Sequence, residues 1–443
     1  MNLNYSRFNS LIRRILYWTN DGIHGFPMYR LMKEIKLIYE NPSKGEKIRR
    51  KYLKEILSFA ADHATFYSNY KDKPLISFPV INKQILKEHY KEFIVEKAFI
   101  PGQKGEIHIQ KTSGSTGTPF EVYQDTKCRE RRIATIKFGN KLISFSSFSN
   151  LMHLRAIKHY WNFDGNIKWN KKLCILYADN SNLTDEKILD LINSIDRYKI
   201  RYVRGYMTTI DIITNYMECH GISFNKEIMF ISVGELLLES LRKRVLKMGC
   251  KIISQYGNEE NGIFGQSEVN KNGSEIILNR ANCYIEILKM DSDEPVGKDE
   301  LGRIVVTDFT NHAMPLIRYD IGDLAMIGEM SEDGILLSIK NLCGRKTDLI
   351  YKTNGSVIDF FNSIPSEIYN NVAIKQWQFV QKELKKYELI LCANKEYFVD
   401  KNNLVNSLKK LLGQDADIAV NVVDEIPVLS SGKRKVVIQE YIK

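Results

Sequence analysis

Apolar residues at helical spacing dominate the chain up to about residue 100, so this part reads as mostly helical. The spacing predicts a helix over Lys47 to Ala61. Phe78-Pro-Val-Ile-Asn-Lys83 reads as a turn into a further helix capped by Asn82. Short apolar runs and helical stretches then alternate. Ile107 and Ile109 lead a strand into a loop, and Arg129 to Leu142 reads as a helix. Leu173-Cys-Ile-Leu-Tyr177, Tyr202-Val203 before Gly205-Tyr206, Met229 to Val233 and Lys251 to Tyr256 read as strands. Asp185 to Asp196 and Leu237 to Met248 read as helices between them. Strands alternating with helices imply parallel β-α-β packing, in which ligands gather where strand C-termini feed into loops.

From about Ala281 the pattern changes to strands joined by turns: Tyr284 to Leu288, Gly302 to Thr307 and Ile335 to Ile339. Beyond Gly344 a last module follows, with a hairpin over Trp377 to Val380 and Tyr387 to Cys392, an amphipathic helix over Asn403 to Leu412, and a strand over Ala416 to Val423. The fold class is therefore α/β, with a large part at 1–344 (helical start, αβ core, β-rich from about 281) and a small α+β part at 345–443.

The chain has 443 residues, 44% hydrophobic and 26% charged, with a formal net charge of +11. That length exceeds one ordinary domain and allows large cores. The positive charge is scattered over Arg129-Glu-Arg-Arg132, Lys171-Lys172, Arg242-Lys-Arg244, Lys409-Lys410 and Lys433-Arg-Lys435. We read most of these runs as solvated surface rather than a nucleic-acid footprint. Seven well-separated cysteines with no C-x-x-C pair exclude a disulfide framework and point to a reducing, cytoplasmic setting. No run is long enough to span a bilayer. Leu11-Ile-Arg-Arg-Ile-Leu-Tyr-Trp18 reads as a helix packed on its own domain, the alternative being an amphipathic helix resting on a membrane surface.

The richest chemistry lies in Lys111-Thr-Ser-Gly-Ser-Thr-Gly-Thr-Pro119. Gly114 and Gly117 let backbone N–H groups approach an anion, and Thr112, Ser113, Ser115 and Thr116 add hydroxyl donors. The combination suits a triphosphate. No Lys follows Gly117, which argues against a Walker A loop, and a kinase-type glycine loop is also absent. Downstream stand Ser232-Val-Gly-Glu235, Tyr256-Gly-Asn-Glu-Glu260, Pro315 to Asp323, Gly344-Arg-Lys-Thr-Asp348 and Ser431-Gly-Lys433. Each alone is commonplace; in series they are specific.

Together they resemble the adenylate-forming superfamily of acyl-CoA synthetases, peptide-synthetase adenylation domains and luciferases. The similarity is greatest to its phenylacetate–CoA ligase and CapK-like branch, whose N-terminal signature matches Phe66-Tyr67 and Phe78 to Lys83. The resemblance implies an adenylation domain at 1–344 and a mobile lid domain at 345–443. It implies that Thr112 to Thr118 hold the ATP β/γ-phosphates and that Gly234 leaves room for a flat base. Glu235 would face adenine or the acyl pocket, unless it is merely a first-turn helix acid. Tyr256 and Gly257 would border the adenine. Glu260 would bind Mg²⁺, with Glu259 as its rival. Asp323 would accept hydrogen bonds from the ribose hydroxyls, and Arg345 would bind near ribose or phosphate. Asp348 would be the hinge, and Lys433 the lysine reaching the α-phosphate and the carboxylate, with Lys435 competing. Arg318 fits either a phosphate contact or a structural ion pair. His312 reads as structural, and Tyr206, Met207 and the segment from His153 to Trp161 fit either an acyl pocket or core packing.

The implied reaction joins a carboxylic acid and MgATP into an acyl-adenylate and pyrophosphate, followed by transfer to an acceptor, chiefly coenzyme A. Its partners are small molecules. Alternatives are a CapK-like ligase forming an amide or ester in surface-polysaccharide synthesis, and a non-catalytic nucleotide-binding or membrane-associated assembly factor. The oligomeric state is not set by the sequence.

Overall fold

A computed structural model describes residues 3–111, 120–157, 165–269, 275–345, 349–358, 360–369, 371, 373–393, 398–427, 429 and 433–441. The chain forms two compact units. One combines Met1–Ser149 with Gln255–Leu342, the other Asn150–Ser254 with Cys343–Lys443.

The first unit opens with helices α1 (Leu3–Ile23), α2 (Pro27–Glu40) and α3 (Pro42–His63). Asn82 caps the short helix Lys83–Glu88 as its sequence predicts, its Oδ1 accepting from the backbone N–H groups of Gln84 and Ile85 at 2.9 and 3.0 Å. The β-rich part is an antiparallel meander of Cys283–Leu288, Gly302–Asp308 and Tyr319–Ile327. Strand Ser338–Arg345 starts later than the apolar run from Ile335 predicts. Leu336 makes only an isolated bridge to Met330 while Ser338 and Ile339 pair with Ile277 and Ile276.

The Phe78 to Lys83 motif docks on the Pro315 to Asp323 motif. Ile81 donates to the Arg318 carbonyl at 3.0 Å, and Asp320 donates back to the Ile81 carbonyl at 2.7 Å. Tyr67 is fully buried among Phe78, Phe93 and Ile317. The Ile317 N–H donates to its hydroxyl at 3.2 Å.

Arg318 is the fulcrum of this packing. It is 2% exposed and adopts a left-handed backbone conformation. Its Nε and Nη2 donate to the two carboxylate oxygens of Glu286 at 3.2 and 3.1 Å, and Nη1 donates to the Phe78 carbonyl at 3.1 Å. Arg318 is thus a structural ion pair rather than a free phosphate contact. Burial raises the Glu286 pKa, and Arg318 pulls it back.

The second unit has a parallel core. Tyr202–Gly205 lies between Leu151–Arg155 and Met229–Val233, and Ile175–Asp179 extends the sheet beyond Leu151–Arg155. The run from Leu173 therefore enters its strand two residues later than the sequence predicts, after a left-handed turn at Cys174. Helices Asp185–Arg197, Met207–Cys219 and Glu239–Lys247 pack beside the strands. The C-terminal part is a four-stranded sheet in the order Asp417–Val423, Lys386–Ala393, Ile374–Glu383, Val437–Gln439, with helix Lys401–Leu412 packed on it. It shares one apolar core with helix Met207–Cys219, and Asn215 Nδ2 donates to the Ile374 carbonyl at 3.2 Å.

The basic runs are mixed in their environment. Lys171 and Lys172 are exposed, as a solvated face requires. Arg131 instead donates to the Ala281 carbonyl at 2.8 Å, and Arg244 pairs with Asp211 at 2.6 Å. These arginines are internal ties, a correction to the solvated reading of their runs. The planar guanidinium suits that role better than an ammonium. None of the seven cysteines is in a disulfide.

Arg318→Ala leaves the Glu286 carboxylate buried without its cation, so we expect a loss of about 3–5 kcal/mol in urea unfolding. The deficit shrinks as pH falls, because a Glu286 carboxyl with a raised pKa protonates early and then needs no cation. A pH-independent deficit, or none, contradicts this placement.

Candidate active site

The end of strand Lys251–Asn258, from Gln255 on, belongs to the first unit; it runs past Tyr256 and turns back through Glu259 and Glu260 into Gly262–Gln266. The Tyr256 to Glu260 motif is therefore a strand end and hairpin turn. A Cβ on Gly257 would lie 2.3 Å from the Gly262 carbonyl oxygen, so the hairpin closes only with glycine there. Asn258 Oδ1 accepts from the Asn261 N–H at 2.7 Å and shapes the turn. Arg132, from helix Thr126–Leu142, donates to the carbonyls of Glu259, at 3.0 Å, and Glu260.

That arrangement separates the two acids. Glu259 is exposed, while Glu260 is 9% exposed and backed by Arg132. Tyr256 reaches Asp323 on strand Tyr319–Ile327, its hydroxyl donating to Asp323 Oδ2 at 2.8 Å. The structure thus joins two motifs far apart in sequence into a phenol beside an ionisable acceptor. His312 packs edge-on to Phe59 at 4.6 Å, and its N–H donates to Asp125 at 2.6 Å, a structural role.

In the second unit, Gly234 ends strand Met229–Val233 with φ of 70°. A Cβ there would meet Tyr206 Cε1 at 3.1 Å, and Lys433 Cε and Nζ at 3.2 and 3.4 Å. The Lys433 ammonium also stands 5.8 Å from the centre of the Tyr206 ring. Lys433 therefore runs alongside Gly234, and any larger residue at 234 would crowd it. Lys435 is exposed.

Glu235 is not a first-turn acid of the helix that follows it, which starts at Glu239. Its carboxylate instead caps helix Met207–Cys219, accepting from the Thr208 N–H at 2.8 Å and the Thr208 hydroxyl at 2.9 Å. A carboxylate at a helix N-terminus is stabilised by the helix dipole. Burial raises its pKa, opposed by Thr208, the charge of Lys433 and the Arg434 N–H, which donates at 3.3 Å.

Arg434 fixes the segment that carries Lys433. Its side chain is 6% exposed; Nη2 donates to the Asn180 carbonyl at 3.2 Å and Nη1 reaches Thr209 Oγ1 at 3.5 Å. Burial lowers the Arg434 pKa, and Glu235 and Glu425 oppose this. Immediately after it, the Phe379 N–H donates to the Val436 carbonyl at 2.8 Å, and Val437–Gln439 joins the C-terminal sheet. The role of Arg434 was hidden in the sequence, where it reads as part of a basic run; its place just before the apolar run Val436-Val-Ile438 was the available signal.

Met207 is buried and, with Thr208, Leu238, Trp377 and Arg434, lines a narrow cavity. His153 sits opposite Tyr177 and Arg204 in the neighbouring strands. Burial, then Arg204 and Arg155, push its imidazole down to about 3, so it is neutral at pH 7. Arg345 ends strand Ser338–Arg345. The loop 112–118 and Asp348 lie outside the described residues, as do residues 158–161 of the His153 to Trp161 segment. Among the described residues no three His, Cys, Asp or Glu side chains cluster as a metal site, and no helix is long and apolar enough to cross a membrane.

Residues 350–440 match the family model described as the CapK C-terminal domain. The chain is 22% identical to Protein CapK of Staphylococcus aureus over 435 residues, 91% of each chain. Among solved structures it resembles a 2-hydroxyisobutyryl-CoA ligase in its postadenylation state, with a TM-score of 0.65, 13% identity and coverage of 89% of this chain and 90% of that one. It also resembles an anthranilate CoA ligase in complex with anthranoyl-AMP, with a TM-score of 0.51 and 14% identity over 74% of this chain and 66% of that one.

Arg434→Ala removes the side-chain tie to Asn180 and Thr209. We expect hydrogen exchange of the amides at 434–439 to quicken by about tenfold, equivalent to about 1.4 kcal/mol of local stability. Exchange in helix Asp185–Arg197 should not change. Equal protection in wild type and variant would show that Arg434 does not hold this segment.

Proposed function

We propose that this chain, which has the fold of the adenylate-forming CoA ligases and carries a CapK C-terminal domain, is an ATP-dependent, AMP-forming carboxylate ligase. The observation that carries the reading is Lys433, running alongside Gly234 beside the cap formed by Glu235. An ammonium held on a segment anchored by its neighbour is what a reaction between two anions requires. A carboxylate oxygen attacks the α-phosphorus of ATP, and pyrophosphate leaves with the electron pair of the broken bond. Lys433 offsets the repulsion that otherwise keeps the anions apart. The acid is already ionised at neutral pH, so no general base is needed.

The other roles follow residue by residue. Residues 112–118 hold the β/γ-phosphates. Tyr256 and Gly257 border the adenine, and Asp323, already accepting from the Tyr256 hydroxyl, also accepts from the ribose. Arg345 contacts ribose or phosphate. Glu260 is the Mg²⁺ ligand in preference to the exposed Glu259. A single carboxylate is enough for a magnesium ion held chiefly by phosphate oxygens and water. The ion, when bound, neutralises phosphate charge. Residues 345–443 then turn about Asp348 between the two half-reactions. The acyl group passes to a nucleophile: coenzyme A in the first reading. The CapK likeness over 91% of the chain favours a second, in which an amine or sugar hydroxyl of a surface-polysaccharide precursor is acylated. ATP as substrate and seven free cysteines support a cytoplasmic setting.

ATP–pyrophosphate exchange across a panel of carboxylic acids tests the reading, followed by trials of coenzyme A, amines and sugars as acceptors. Tight ATP binding with no exchange for any acid would favour a nucleotide-binding assembly factor instead. Lys433→Ala should cut exchange by at least about a hundredfold while ATP still binds. Lys435→Ala should retain activity, and the reverse outcome would reassign the lysine. Asp323→Ala should weaken ATP binding in calorimetry by about tenfold or more, because the ribose hydroxyls lose a charged acceptor. An unchanged affinity would contradict the ribose role.

A further inference from the structure

Helix α1 has one face turned inward. Tyr17 packs on Phe148 with centroids 5.5 Å apart, and Lys137 Nζ stands 4.0 Å from the Tyr17 ring. Arg13 Nη1 donates to the Phe148 carbonyl at 2.9 Å. The other face is apolar and open. Ile12, Ile15, Leu16 and Ile23 are exposed by 37, 55, 63 and 76%. At 3.6 residues per turn they share an arc of about 100°. The patch continues around the turn into α2. The Phe26 ring lies against Gly22 and meets Tyr29 edge-on at 6.3 Å, and both rings are at least half exposed.

The charges beside this patch have one sign. Arg30 and Lys33, on α2, are exposed. The acids of the same stretch are engaged within the protein. Asp21 is 6% exposed and accepts from the Met28 and Tyr29 N–H groups at 2.9 and 3.1 Å. Glu34 takes the Tyr52 hydroxyl and Arg131, each at 2.8 Å. An apolar stripe flanked by cations, with its acids withdrawn, matches a layer that is apolar below and anionic at its face. A second copy of the chain laid on the same face would instead bring Arg30 and Lys33 against like charge.

We propose that the outer face of α1 and the Phe26 turn seat this protein on an anionic phospholipid surface. Ile12, Ile15, Leu16, Ile23 and Phe26 enter the headgroup–acyl boundary, and Arg30 and Lys33 meet lipid phosphates. The helix lies in the plane of the surface and does not cross it. This inference stands independently of the ligase reading.

Co-sedimentation of the full chain with vesicles tests it. With mixed phosphatidylglycerol–phosphatidylcholine vesicles the chain should bind at least about tenfold more tightly than with phosphatidylcholine alone, and salt should weaken the binding. The Ile15→Glu/Leu16→Glu variant, altered only at exposed positions and checked by circular dichroism, should lose at least about tenfold in affinity. Arg30→Glu/Lys33→Glu should also bind more weakly, without depending on the fold of α1. Failure to sediment with anionic vesicles overturns the proposal, as does equal binding by wild type and both variants. A dimer in light scattering that Ile15→Glu/Leu16→Glu splits, with no vesicle binding by wild type, would assign the face to a second copy instead.

Discussion

A guanidinium keeps its charge at any pH a cell visits, so wherever the chain buries one it must bring acceptors to it. That constraint organises both units. Arg318 gathers Glu286 and the Phe78 carbonyl, and so fixes the left-handed turn from which strand Tyr319–Ile327 departs toward Asp323. Arg280 donates to the Ile38 carbonyl at 2.7 Å and Arg49 to the Arg280 carbonyl at 2.9 Å, joining the N-terminal helices to the start of the β-rich part. Arg434 reaches the Asn180 carbonyl and thereby fixes where its neighbour Lys433 stands. Lys433 precedes the buried Arg434, and Asp323 lies on the strand that follows the buried Arg318.

The same logic accounts for Glu235. A carboxylate that caps helix Met207–Cys219 and also accepts the Arg434 N–H ties the start of the helix to the segment carrying the lysine. The charge of Lys433 in turn opposes the rise that burial imposes on the Glu235 pKa. In an adenylating enzyme, departure of residues 433–439 would cost these bonds. Moderate strength is therefore the useful value: enough to align the ammonium, too little to lock it. The long arginine side chain, held by neutral acceptors rather than a paired carboxylate, fits that requirement.

Much of this was legible in the sequence because it depends on local pattern. Strand Met229–Val233 and the cap at Asn82 follow from a short continuous apolar run and an Asx side chain, which need no knowledge of the rest of the fold. The candidate site was legible as motifs in series, including the tyrosine and aspartate that meet at 2.8 Å. What the residues alone left open was long-range. Arg318 read equally as ligand or ion pair until Glu286 arrived from another strand. Arg131, Arg244 and Arg434 read as solvated charge because burial of a cation depends on partners distant in sequence. The run from Ile335 predicted a strand on hydrophobicity, whereas pairing with Ile276 and Ile277 decided where the strand begins. Glu235 read as facing adenine or the acyl pocket, or else as a first-turn acid of its own helix; its carboxylate caps a different helix.

The central claim is that an oxygen of the substrate carboxylate bonds to the α-phosphorus of ATP. Mass spectrometry of the products formed from acid labelled with ¹⁸O in its carboxylate tests this most directly, using an acid that supports pyrophosphate exchange together with its acceptor. When the acyl group moves to the acceptor, the bridging oxygen stays with the nucleotide, so AMP should carry one ¹⁸O and pyrophosphate none. Label in inorganic phosphate, with ADP as the nucleotide product, would mean attack on the γ-phosphorus and would contradict the account.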